Sequence, residues 1–301
     1  MPTTTARPFG SLLTAMVTPM KEDGSVDLKA ATSLASHLVA NGHDGLVLNG
    51  TTGEAPTTHT PEKSELIRAV VETVGDRAVV VAGAGSNDTR HAARMAEQAA
   101  EAGAQGLLVV TPYYSRPSQR GIVQHTLTVA EATDLPVMLY DVPARTVVRY
   151  APGTLDRLAE HPRIVAVKDA TGDVQAALRA IERTGLAWYS GDDGMLLPFL
   201  SVGAVGLVSM AAHLIGNELA QLIREFDRGD VAAARATFLS VAPVVDLICG
   251  SGNGALRSKL SLALLGLIPS AAMRLPQIEA DEDEVTEVRA TMVALGLLPP
   301  A

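Results

Sequence analysis

The chain has 301 residues, 47% of them hydrophobic and 19% charged, a balance that supports a sizeable core and excludes a disordered or fibrous protein. Its 33 acidic residues against 24 basic ones leave a formal charge of −9, which repels a phosphate backbone and argues against nucleic acid as a partner. The single cysteine, Cys249, precludes an intramolecular disulfide, Met1 to Gly10 carries no apolar leader core, and no apolar run reaches the ~18 residues of a membrane span, so a soluble protein of the reducing cytoplasm is expected.

In chain order the sequence alternates short apolar, β-branched runs with longer helical patterns. The runs are Leu12–Thr18, Gly45–Asn49, Ala78–Ala82, Gly106–Thr111, Pro136–Asp141, Ile164–Lys168, Ala187–Ser190 and Gly206–Met210. Nearly all are apolar throughout, as strands covered on both faces are, and such strands are usually parallel with helices crossing over between them. Helix-start chemistry recurs in the spacers. Thr60-Pro61 places an N-cap residue ahead of a first-turn proline, Asn87-Asp88 precedes a small-residue face over Thr89–Glu101, and Pro152 and Thr171-Gly172-Asp173 open two more helices.

Successive runs start about 19 to 33 residues apart, the size of a βα unit. Eight such units predict a (β/α)8 TIM barrel over residues 1–228, with a doubly wound open sheet as the competing architecture. Beyond Arg228-Gly229-Asp230 the strand runs stop. Helical patterns over Val231–Leu247, Ala255–Leu267 and Glu284–Leu297 predict an all-helical C-terminal region, 229–301. Its acidic stretch Glu279–Glu287 reads as a solvated helix N-terminus rather than a metal site.

In a parallel barrel, catalytic groups sit at the C-terminal ends of the strands. The sixth run closes on Lys168, a primary amine at the end of an otherwise apolar strand, where burial favours the neutral form that attacks carbonyls. The fifth ends on Tyr140, able to shuttle a proton, followed by Arg145, able to hold a carboxylate bidentately. The second ends in Asn49-Gly50-Thr51-Thr52-Gly53-Glu54, a glycine-bracketed pair of hydroxyls; the fourth ends in Thr111-Pro112-Tyr113-Tyr114. Each has a bland alternative: Lys168 paired with Asp169, Tyr140 anchoring the rim, Arg145 in a surface ion pair. Together they supply an amine nucleophile, hydroxyls for proton transfer and a guanidinium for an acid, which points to a carbonyl activated as an imine. No His or carboxylate cluster at metal-ligand spacing joins them, so no metal is expected. The scattered His37, His91, His125 and His213 default to structural or surface roles.

Gly45 to Glu54, followed by Glu62, resembles the first signature of the pyruvate-dependent class I aldolases and lyases typified by dihydrodipicolinate synthase and N-acetylneuraminate lyase. Tyr140-Asp141-Val142-Pro143 running to Val167-Lys168-Asp169 resembles the second. Thr51-Thr52, Tyr113-Tyr114, Arg145 and Gly191-Asp192-Asp193 look like the dihydrodipicolinate synthase branch. The resemblance covers nearly the whole chain. It implies a homotetramer, a dimer of dimers, with no metal or organic cofactor, condensing pyruvate with L-aspartate 4-semialdehyde on the way to diaminopimelate and lysine.

By the same resemblance Lys168 forms the Schiff base and Tyr140 donates and accepts protons, while Thr51 and Tyr114 extend the relay, Tyr114 from a neighbouring subunit. Thr52 and the main chain near Val208 hold the pyruvate carboxylate, Gly191 is a further substrate-binding position, and Arg145 receives the carboxylate of the semialdehyde. Alternatives are a sibling aldolase acting on a sugar acid or hydroxy-oxo acid, and a barrel that binds a metabolite without catalysis. Three features depart from the branch. Ala144 stands where glycine is common, and a positive φ there would strain the Arg145 loop. The positions matching a lysine-regulatory pocket are Thr60, Asn87, His91 and Tyr113, two of them altered, which predicts weak or absent feedback inhibition. The glycine-rich stretch at 250–254 has no assigned function.

Overall fold

The computed structural model describes residues 6–250 and 252–300. Met1–Thr5 of the segment read for a leader and Ser251 of the glycine-rich stretch lie outside the described residues. All eight apolar runs form strands: β1 Leu12–Ala15, β2 Gly45–Leu48, β3 Val79–Gly83, β4 Gly106–Val110, β5 Val137–Asp141, β6 Ile164–Asp169, β7 Ala187–Ser190 and β8 Gly206–Ser209. They pair in parallel and in chain order, and β1 with β8 closes the barrel.

Several strands are shorter than their apolar runs because the backbone finds other partners. Met16 still donates to Val47 O, but the Val17 N–H turns to His213 Nε2 at 3.2 Å, which ends β1. The other ring nitrogen of His213 donates to Met210 O at 2.7 Å, so one imidazole ties the ends of β1 and β8 together. Burial pulls its pKa down to about 4, which keeps the ring neutral and able to accept.

The helices are α1 Leu28–Ala40, α2 Glu62–Val74, α3 Thr89–Glu101, α4 Gln119–Glu131, α5 Pro143–Thr146, α6 Pro152–Ala159, α7 Val174–Thr184, α8 Leu196–Ser201, α9 Ala212–Asp227, α10 Val231–Cys249, α11 Gly254–Leu264 and α12 Glu282–Ala294. Side chains of Asp88 and Asp173 cap α3 and α7, and Pro152 occupies the first turn of α6. Thr60 does not cap α2. Its hydroxyl donates to Gln98 Oε1 at 3.0 Å, the Thr60-Pro61 peptide is cis, and the helix begins after Pro61 with no side-chain cap.

Inward-pointing residues two apart on each strand fill the barrel, among them Leu13, Val47, Val81, Met138, Ala166 and Val208, with Phe9 beneath them. A second apolar cluster joins Leu12 and Leu207 of the barrel to Val241, Ile248 and Met292, so the helices beyond residue 228 share a core with it. Among the described residues α10 has the length and apolarity to span a bilayer, yet Val241, Val244, Val245, Leu247 and Ile248 are buried in that shared core. The acidic stretch supplies the first turn of α12, where Asp281 and Glu284 form a capping box.

Candidate active site

Strand alternation decides which groups face the interior. On β6, Lys168 lies two residues past the inward-facing Ala166; on β5, Tyr140 lies two past Met138. The register sets Tyr140 beside Lys168, and Lys168 Nζ sits 4.4 Å from the centre of the Tyr140 ring. Both are buried, at 5% and 6% exposure. Asp169 turns to the other face, where its carboxylate accepts from Trp188 Nε1 at 3.0 Å and from Thr171 N at 2.8 Å. Lys168 therefore has an aromatic face beside it rather than the neighbouring carboxylate, and the ion-pair alternative for this lysine does not hold. A Cβ at Gly191 would meet Lys168 Cγ at 3.0 Å, so glycine leaves the lysine stem its room.

Asp141, also turned outward, is in register with Asp169. Burial, with Asp169 beside it, pushes its carboxyl up to about 7, and its Oδ1 makes no hydrogen bond.

The loop after β2 carries the two threonines. Asn49 turns the chain at φ 54°, and Gly83 allows it to pass over β3, since a Cβ there would lie 2.2 Å from Asn49 O. Thr18 Oγ1 donates to Gly53 O at 2.7 Å, and Glu54 N donates to Thr51 O at 3.1 Å. Thr51 is exposed at the loop tip and Thr52 is buried.

Arg145 sits on the short helix α5, exposed to solvent. Ala144 is helical there; the positive φ falls at Val147, at 69°, so the strain expected at Ala144 is carried three residues later. Thr146 braces this turn by donating to Val148 O at 2.8 Å.

A cavity of about 470 Å³ is lined by Thr51, Thr52, Tyr140, Arg145, Lys168 and Gly191. Six of the eight candidate residues thus converge. Val208 is buried in the barrel interior and does not line the cavity. Tyr114, with φ 70° and 88% exposure, does not line it, whereas Tyr113 lines an adjoining cavity of about 410 Å³ together with Thr51, Tyr140 and Arg145.

Sequence reading missed part of the cavity wall. Asp193 is buried, and its carboxylate accepts from Ser209 Oγ, from Met210 N at 3.1 Å, from Ala211 N at 3.3 Å and from Cys249 Sγ at 3.5 Å. Burial pushes both this carboxyl and the Cys249 thiol up. Asn253 and Gln277, also on the wall, bond to each other at 2.6 Å. The Gly191-Asp192-Asp193 motif was the available signal for the first of these; Cys249, Asn253 and Gln277 carry none.

A model of the dihydrodipicolinate synthetase family matches residues 8–295. A 4-hydroxy-tetrahydrodipicolinate synthase of Bifidobacterium longum is 55% identical over 291 residues, 97% of this chain and 96% of that one. The protein of the same name in Kineococcus radiotolerans is 49% identical over 303 residues, 99% and 98% of the two chains. Among solved structures, dihydrodipicolinate synthase from Cyanidioschyzon merolae, with lysine bound, is similar at a TM-score of 0.93 and 39% identity, covering 97% of this chain and 100% of that one. A Bacillus anthracis dihydrodipicolinate synthase gives 0.91 and 40%, over 97% and 99%.

Proposed function

This chain belongs to the dihydrodipicolinate synthetase family, and on that premise we propose how its site condenses pyruvate with L-aspartate 4-semialdehyde to 4-hydroxy-tetrahydrodipicolinate. The enzyme is a lyase of the class I aldolase type. The observation that carries the reading is the buried Lys168 amine, 4.4 Å from the centre of the Tyr140 ring, in a cavity it shares with Thr51, Thr52 and Arg145.

The Lys168 amine adds to the ketone carbon of pyruvate, and loss of water leaves the imine. Tyr140, whose ring lies beside the amine, supplies and removes the protons of that exchange. The imine draws electrons from the pyruvate methyl; loss of a methyl proton gives an enamine whose carbon attacks the aldehyde. Thr52 and the loop amides beside it receive the pyruvate carboxylate, and Arg145 at the mouth receives that of the semialdehyde. Attack of the semialdehyde's amine on the imine carbon then closes the ring and frees Lys168.

Tyr114 serves the site of a neighbouring subunit in a homotetramer, a dimer of dimers. Its 88% exposure and left-handed backbone beside the cavity-lining Tyr113 support that reading. A cytoplasmic setting fits a single cysteine held as a thiol. Lysine is a poor ligand for this chain. The adjoining cavity is lined by Lys63, His59 and His91 and, among the described residues, by no carboxylate to receive an ammonium group.

The deciding experiment measures pyruvate consumption with L-aspartate 4-semialdehyde and with a panel of sugar and hydroxy-oxo aldehydes, alongside borohydride trapping of pyruvate. A much higher kcat/KM for the semialdehyde, with trapping lost in Lys168→Ala, supports the synthase. Trapping with a preference for another aldehyde moves the chain to a sibling aldolase. Absence of trapping in the native enzyme overturns the imine reading.

A further inference from the structure

Two carboxylates of the segment after β2, Glu54 and Glu62, take no part in the chemistry above, yet cations from the far end of the chain hold both. Lys259, on α11, is 0% exposed; its ammonium donates to Glu54 Oε1 and, at 2.7 Å, to Ala272 O. The Arg274 main-chain N–H donates to Glu54 Oε2 at 3.0 Å. The Arg274 guanidinium reaches Gly24 O at 2.8 Å, Thr57 O at 2.8 Å and Glu62 Oε2 at 2.7 Å. Glu54 itself lines the 470 Å³ cavity at 5% exposure, and its N–H donates to Thr51 O at 3.1 Å. One residue thus bonds the threonine loop through its backbone and a buried ammonium through its side chain.

A buried ion pair is a poor device for stability alone, because desolvating both ions offsets their attraction and an apolar pair of equal volume does as well. Orientation is what an apolar pair cannot supply. Glu54 sits at φ 57°, a left-handed conformation that a non-glycine residue keeps only when its surroundings hold it there. With both carboxylate oxygens bonded, the side chain is fixed in direction, and with it the turn that presents Thr51 and Thr52. The ammonium also balances a carboxylate that would otherwise face the pyruvate anion across the cavity.

We propose that Lys259 is a positioning residue for the condensation: through Glu54 it holds the Thr51–Thr52 loop in the conformation that receives the pyruvate carboxylate. The inference rests on the function proposed above, since pyruvate is the ligand whose binding it controls.

Its test follows steady-state kinetics and borohydride trapping against pyruvate concentration in the full-length native enzyme, Lys259→Met and Lys259→Arg, with melting curves to establish folding. Loss of a charged hydrogen bond from the loop is expected to raise the pyruvate KM and the half-saturation of trapping about tenfold in Lys259→Met, with kcat at saturation changed less than about threefold. Lys259→Arg, which keeps the charge and the donors, is expected to return KM to within about threefold of native. A folded Lys259→Met with KM within about twofold of native overturns the proposal, as does an arginine variant no better than the methionine one. Should Lys259→Met fail to fold, Glu54→Gln carries the test from the other side of the pair, and a native-like pyruvate KM there overturns it equally. A native enzyme that traps no pyruvate defeats the function reading instead, so the two failures are told apart.

Discussion

Lys168 and Tyr140 are cross-strand partners, with the lysine nitrogen 4.4 Å from the centre of the tyrosine ring. A closed parallel ladder fixes the two backbones side by side, so both side chains, buried and inward-facing, start from neighbouring positions at the same barrel end. Tyr140→Phe keeps the ring that packs the rim and removes only the hydroxyl. Turnover should fall about 10²–10³-fold, the range for a lost general acid–base, while the melting temperature stays close to native. Near-normal kcat in the purified variant would refute the proton role.

Arg145 makes no salt bridge among the described residues and stands exposed at the cavity mouth. A guanidinium without a protein partner is free for a carboxylate that arrives from solvent. Arg145→Ala should raise the KM for the semialdehyde about 10–100-fold, as loss of a charged hydrogen bond does, and leave the half-saturation of imine trapping by pyruvate unchanged. Equal rises for both substrates would place Arg145 on pyruvate instead.

Asp141 sets a pH dependence of stability whose sign is fixed by its raised pKa. Its carboxyl titrates at about 7 when folded against 3.8 for the ordinary group, so between those values the folded chain keeps a proton that the unfolded chain has released. The stability this proton confers is full below pH about 4 and is lost as the pH rises through about 7. Asp141→Asn stays neutral throughout and should melt several degrees above native at pH 8, with the two curves converging toward pH 4. A gap in melting temperature independent of pH would contradict the assignment.

Lysine should inhibit weakly or not at all. Lys63 is half-buried on the wall of the adjoining cavity, where its ammonium donates to Ala55 O at 2.9 Å, and a second ammonium brought in beside it would be repelled. Half-maximal inhibition at sub-millimolar lysine in a steady-state assay would count against this.

The barrel was legible because burial on both faces writes each strand as an unbroken apolar run, and Lys168 because a cation ending such a run has few reasons to be there. Thr60 differs from its expected role as a cap: Pro61 fits a first helical turn by composition, but the helix begins after it, and the Thr60 hydroxyl finds Gln98, 38 residues away, a partner that local sequence does not reveal. Strain foreseen at Ala144 arose at Val147, since the local sequence marks a tight turn without saying which residue takes the left-handed position. Lys259 was invisible, being one polar residue in a helical pattern whose partner lies 205 residues away. Pairings of that kind leave no period in the sequence; only the closed fold brings them together.

The bond between Lys259 and Glu54 also divides the pocket between the two ends of the chain. All eight strands are complete by residue 209, yet the loop presenting Thr51 and Thr52 is held by groups at 259 and 274. A chain ending at residue 228 would therefore keep every residue of the sheet, Lys168 and Tyr140 among them, and lose both groups that hold the threonine loop, together with the apolar partners that cover Leu12 and Leu207.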